Sequence, residues 1–235
     1  MFQNITPITK NIIILNVIVF ILAMLIPQSY QYLAAFFPTS PYFKSWQIIT
    51  HMFMHGGFMH IAFNMLTFAS FGPVLERFLG EKKFVILYFL SGLGAFVLFN
   101  LWEYYQLYQD AQPLIVEGLQ FSDILKGDFG KFPVRLEGNA QNIVNILSTP
   151  MVGASGALFG VVAAFALLYP NAEMYIMFIP FPIKAKVLFP IVIVGSIYLG
   201  FSGSGGNIAH FAHIGGALVG YILIKIWGRN RYRIN

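Results

Sequence analysis

An all-α membrane protein with six transmembrane helices is the fold this sequence predicts, and three observations carry it. The 235 residues are 57% hydrophobic and 10% charged, where a soluble domain carries about 25% charged residues. A soluble core cannot absorb that much apolar surface, so the solvent of the fold is lipid. Six apolar segments of roughly 15–22 residues stand against the ~20 that a helix needs to cross the hydrocarbon. The basic residues, finally, divide unevenly between the two sides once those segments are taken as spans.

The first span, about 11–27, contains NIIILNVIVFILAMLI (Asn11 to Ile26) behind Lys10. It resembles a signal peptide, but no Ala-x-Ala site follows and five further spans do, so it reads as a retained helix. The second, about 57–75, carries His60 and Asn64, and the third runs about 84–102. The fourth, about 151–169, carries Ser155 and ends at the break of Pro170 and the Phe181-Pro182 turn. The fifth, about 187–201, and the sixth, about 207–227, are separated by SGSGGN (Ser202 to Asn207). Trp46, Trp102 and Trp227 fall near span ends, as interfacial aromatics do.

Six spans put both termini on one side. That side receives Lys10, Arg77, Lys82, Lys83, Lys184, Lys186, Lys225, Arg229, Arg231 and Arg233; the other receives Lys44, Lys126, Lys131 and Arg135. The termini are therefore expected in the cytoplasm. The formal charge of +5 is a topology signal and not a nucleic-acid patch. Residues 1–235 read as a single membrane domain, interrupted on the outer side by an acidic insertion, 103–150, between the third and fourth helices. It carries six acids (Glu103, Asp110, Glu117, Asp123, Asp128, Glu137) against Lys126, Lys131 and Arg135, a net −3. Leu114-Ile115-Val116 and Ile143-Val144 suggest that it is partly folded.

Polar side chains in spans are costly without partners, which makes them functional suspects. Ser155 sits in VGASGALFG (Val152 to Gly160). It reads either as a packing serine bonded to its own helix or as a nucleophile; Gly156 and Gly160, four apart, form a close-packing face, which alanine would also serve. His213, in AHIGGALVGY, shares one helical stripe with Gly216 and Gly220. It is a structural imidazole or, facing the serine, its base. His60 and Asn64 share a face of the second span, as an interhelical bond or as two donors to a developing oxyanion, with the Ser155 N–H as a third. No acid lies inside a span, so the expected unit is a Ser–His dyad and not a triad.

GASGALFG, AHIGGALVG and HGGFMHIAFN, in spans four, six and two, together resemble a rhomboid intramembrane serine protease. The resemblance covers Trp46 to about Gly228 apart from the insertion; VLERFLG (Val74 to Gly80) and Pro182 to Lys186 also fit, the latter as in bacterial members. It implies an endopeptidase that cleaves transmembrane segments of other membrane proteins, in the cytoplasmic (inner) membrane of a bacterium, with a site that opens to the outer face. Ser155 would be the nucleophile, His213 the base, and His60, Asn64 and the Ser155 N–H the oxyanion donors. Gly153, Gly156 and Gly216 would pack the site. Where many members have Trp-Arg in the first outer loop, this chain has Trp46-Gln47; where many bacterial members stack a tyrosine on the histidine, it has Phe159.

Other classes weigh less. A catalytically silent binder would have lost Ser155 or His213, and a proton-coupled transporter needs intramembrane acids. No cofactor is expected, and no metal: His51, His55 and His60 lack an HExxH pattern, cysteine is absent, and His51 and His55 are expected to brace the first outer loop. An aspartyl mechanism would rest on Asp128, outside any span. The insertion is expected to act as a lid or recognition surface for substrates with basic outer flanks.

Overall fold

The computed structural model describes residues 5–127, 137–175, 181–202 and 209–229. Asp128, Lys131, Arg135, the glycine-rich run 203–207, Arg231 and Arg233 lie outside them. The described chain is almost wholly helical: α1 (Pro7–Leu25), α2 (Ser29–Leu33), α3 (Gln47–Thr50) with a 3-10 turn (His51–Phe53), α4 (Phe58–Leu79), α5 (Glu81–Val116), α6 (Phe121–Lys126), α7 (Glu137–Ser148), α8 (Ser155–Leu168), α9 (Ala185–Ser202) and α10 (His210–Arg229). One short hairpin, β1 (Glu173–Met174) with β2 (Ile183–Lys184), is antiparallel and pairs Glu173 with Lys184.

Five of these helices, α1, α4, α5, α9 and α10, are long and apolar enough to cross a membrane. The chain is an integral membrane protein. The expected fourth span corresponds to α8, which has only 14 residues, about 21 Å of rise against a ~30 Å hydrocarbon core. Its surroundings supply the reason. The chain ahead of it is extended and tied to the first outer loop: Ala35 and Met151 form an antiparallel bridge, N to O at 3.0 and 2.8 Å, and the Gly153 N–H donates to the His51 carbonyl at 3.0 Å. Helix begins only at Ser155.

α8 is the axis of the bundle. Gly156, Ala157, Leu158, Gly160, Val161, Ala163, Ala164 and Ala166 are buried on it, and a helix apolar on every side belongs inside other helices. α10 and α5 pack against it and against each other, with α4 and α9 on its remaining sides. Lipid-facing side chains dominate α1 and α9, where Leu25, Ile191, Val194 and Tyr198 are exposed. α1 is fastened to α4 by one buried carboxylate. Glu76 accepts from the Ile8 and Thr9 N–H groups at 3.0 and 2.8 Å, from the Thr9 hydroxyl at 2.7 Å, and from the Thr6 hydroxyl. An acid at a helix N-terminus satisfies orphan N–H groups and complements the dipole. Glu76 lies within α4, so that helix runs past the expected boundary at 75.

The largest departure from the sequence reading is in the third span. α5 continues fourteen residues past 102, to Val116. Hydropathy falls there, but Leu107, Ala111 and Leu114 recur at helical spacing and bury against Phe37, Ile124, Ile143 and Leu147. The described residues of 103–150 thus form a small helical layer over the end of the bundle that bears the loop between α1 and α4. The hydroxyl of Ser40 donates to the Leu147 carbonyl at 2.6 Å and latches that layer to the first outer loop.

Candidate active site

Ser155 and His213 come from α8 and α10, and glycine contacts set where those helices cross. A Cβ on Gly216 would run into the Gly156 carbonyl, one on Gly220 into the Gly160 backbone, and one on Gly160 into Ser91 of α5. The backbones therefore touch, as small residues allow in membrane helix pairs. Ser155 precedes Gly156 by one residue and His213 precedes Gly216 by three, so the same contact carries both polar side chains to one level. His213 Nε2 lies 2.9 Å from Ser155 Oγ. The imidazole stacks on Phe159, centroids 4.1 Å apart and planes 2° from parallel. Among the described residues no carboxylate or carbonyl bonds its other ring nitrogen. The ring is oriented by the stack and by the bond to serine.

Gly153 has φ +121°, a region that a side chain disfavours, and a Cβ there would stand 2.7 Å from His60 Nε2 and 3.6 Å from Ser155 Oγ. His60 thus looks onto the segment just before the serine. Its Nδ1 accepts from the Gly56 N–H at 3.4 Å. A neutral imidazole that accepts at Nδ1 carries its hydrogen on Nε2, the nitrogen turned toward Ser155. Asn64 is buried, and its amide donates to the His60 carbonyl at 2.8 Å; its second hydrogen has no partner among the described residues. As the first residue of α8, Ser155 has an N–H without an intrahelical acceptor.

Ser155, His213, Phe159, His60 and Asn64 line one cavity of about 1640 Å³, together with Gly56, Tyr30 and Met151. On one side it passes between α4 and α9: Phe63 and Val192 line it and are also exposed on the outside of the bundle. At the end under the α5–α7 layer, Glu103, Gln106, Asn142 and Asn145 line it. The sequence reading names Glu103 and Asp110 only as two acids of the insertion and does not single out Gln106, Asn142 or Asn145. The spacing of Glu103, Gln106 and Asp110, three and then four residues apart, carries a helical signal within the segment expected to be a partly folded insertion.

Around the site, Gln47 is fully buried and bonds five backbone groups of the first outer loop. Its Oε1 accepts from Phe36 and Lys44 N–H at 3.4 and 3.0 Å; its Nε2 donates to the carbonyls of Gln31, Tyr42 and Tyr32 at 3.0, 3.2 and 3.4 Å. A neutral amide therefore organises that loop. His51 is buried and its Nδ1 donates to the Gln47 carbonyl at 2.8 Å. Burial holds its pKa down to about 4, against a weaker upward pull from backbone bonds. His55 is also buried, edge-on to His60 at 5.0 Å, and its pKa is lowered to about 4 by burial and then by His60. Both serve as neutral rings in the loop. Among the described residues no three His, Asp or Glu side chains form a metal-binding group.

A family model described as "Rhomboid domain" matches residues 42–230. Among curated proteins, the chain is 30% identical over 178 residues to "Rhomboid protein 1, mitochondrial" of Saccharomyces cerevisiae, covering 74% of this chain and 40% of that protein. It is 25% identical over 182 residues to "Rhomboid protease AarA" of Providencia stuartii, covering 76% and 54%, and 25% identical over 183 residues to "Rhomboid protease GluP" of Bacillus subtilis, covering 78% and 26%. The match spans about half the length of these relatives or less.

Proposed function

The chain belongs to the rhomboid family, and on that footing we propose that it is an intramembrane serine endopeptidase. Several relatives carry the name protease; protease activity is thereby supported at the level of the family, and the finer assignment rests on the site. One observation supports it: a serine hydroxyl 2.9 Å from an imidazole nitrogen inside a cavity that passes between α4 and α9 and runs up to a wall formed by α5 and α7.

In this reading His213 Nε2 takes the proton of Ser155 as Oγ attacks a peptide carbonyl. The carbonyl oxygen becomes an anion, which the Ser155 N–H, His60 Nε2–H and the Asn64 amide stabilise. His213 then returns its proton to the leaving amine. Water enters from the outer end of the cavity and releases the acyl group by the same steps in reverse order. The stack with Phe159 takes over the orienting role of a third residue. A substrate's transmembrane segment enters from lipid between α4 and α9, where the cavity is lined by apolar side chains such as Phe63 and Leu188. The substrates are accordingly membrane proteins. Both termini face the cytoplasm, by the distribution of basic residues, in the inner membrane of a bacterium.

The test is labelling by a fluorophosphonate in detergent. Wild-type protein takes up the probe and Ser155→Ala does not. Equal labelling of both, or none of either with a well-folded protein, overturns the assignment; the second result leaves a silent rhomboid-like binder.

A further inference from the structure

The cavity changes character along its length. Near α4 and α9 it is apolar; on its outer wall stand Glu103, Gln106 and Asp110 of α5 and Asn142 and Asn145 of α7. This wall is held by a packed core, Leu107 and Leu114 of α5 against Ile143 and Leu147 of α7. The two helices that carry its polar groups are thereby held against each other.

The two carboxylates differ. Asp110 is engaged: its Oδ1 accepts from Asn142 Nδ2 at 3.3 Å, and its carbonyl from Asn139 Nδ2 at 3.4 Å. Glu103 is half-buried and has no hydrogen bond or ion pair with any described residue. No lysine or arginine is among the described residues that line the cavity. A carboxylate withdrawn from water without a partner is unfavourable, and a cation brought to it makes a charge-assisted bond.

Its height above the serine follows from helix geometry. Ala95 of α5 meets Gly156, the residue after Ser155. Glu103 is eight residues further along the same helix, about 12 Å outward at 1.5 Å per residue. An extended peptide covers that in roughly three to four residues.

Resting on the proteolytic reading above, we infer that Glu103 is a specificity-determining residue: it receives a lysine or arginine that lies on the outer side of the scissile bond, roughly three to four residues from it. Gln106 and Asn145 line the same stretch of the cavity. The selectivity comes from one carboxylate at a fixed height and not from the net charge of the insertion.

The experiment uses the full chain in vesicles and a series of transmembrane test substrates in which a single lysine is moved residue by residue along the outer flank. In wild type, kcat/KM peaks where the lysine is about three to four residues out, roughly tenfold above the same substrate with glutamine there. Glu103→Gln flattens the peak. Glu103→Lys shifts the preference to a glutamate at that position, and recovery of cleavage in this charge-swapped pair shows that the variant is folded. A lysine preference that ignores position, or a peak that survives Glu103→Gln, overturns the subsite. If wild type takes the fluorophosphonate on Ser155 and cleaves with a flat profile, the subsite alone falls. If it neither labels nor cleaves, the protease reading falls, and the subsite with it.

Discussion

Gly216 of α10 lies so close to Gly156 of α8 that a Cβ on the first would collide with the carbonyl oxygen of the second. This contact, three residues from His213 and one from Ser155, sets the distance between the two side chains.

Gly216→Ala should therefore act at a distance. A methyl against backbone has no flexible side chain to displace, so the helices must part, at a cost of about 1–3 kcal/mol. We expect a lower unfolding temperature in detergent together with loss of fluorophosphonate labelling. An alanine variant that keeps both would mean that the helices hold their spacing by other contacts.

Ser155→Ala and His213→Ala should each abolish cleavage of a transmembrane test substrate, and the double variant should be no worse, because the two groups act as one unit. In a soluble hydrolase such losses are on the order of 10⁶ in turnover. Losses that multiply in the double variant would show two independent roles.

For the oxyanion donors the expected loss is smaller. His60→Ala or Asn64→Ala should lower kcat by roughly 10²–10³ with less effect on substrate binding. Since the Asn64 amide also bonds the His60 carbonyl, thermal unfolding must be measured alongside. A variant that melts early but cleaves normally at low temperature would assign the residue to the scaffold.

Phe159 stacks flat on the His213 ring and offers no hydrogen-bonding group. Phe159→Tyr should be tolerated, while Phe159→Ala frees the imidazole to rotate and lowers turnover. Unchanged kinetics in the alanine variant would remove the stack from the mechanism.

The first outer loop should make the fold acid-sensitive. His51 and His55 have pKa values near 4 in the folded chain, lowered by burial, against about 6.5 when unfolded. Between those values the unfolded chain binds more protons than the folded one, so stability is complete above about 6.5 and declines as pH falls toward 4. The unfolding temperature followed from pH 7 to 4 measures this. His51→Gln, which retains a donor for the Gln47 carbonyl, should reduce the slope; a slope left unchanged would place the proton uptake elsewhere.

Much of this is legible in the sequence. Apolar run length and charge placement announce a helical membrane protein, because lipid leaves a spanning chain few ways to satisfy its backbone. Ser155, His213, His60 and Asn64 stood out because polar groups among lipid-facing runs need a reason to be there. The glycine stripes at 156 and 160 and at 216 and 220 marked helix faces able to approach closely. Gln47 was visible as a departure in the first outer loop, though its five bonds to that loop were not.

What sequence alone could not decide were relations between distant segments. The start of α8 at Ser155 depends on bonds from Met151 and Gly153 to Ala35 and His51, more than a hundred residues earlier in the chain. The extension of α5 past Trp102 is helical because Leu107, Ala111 and Leu114 find partners on α6 and α7; without them its mixed polarity reads as loop. The same packing turns Glu103 onto the cavity that holds Ser155. Local composition specifies which segments enter lipid, since transfer energy is a sum over residues. Which polar groups then meet is set by packing, and packing belongs to the folded whole.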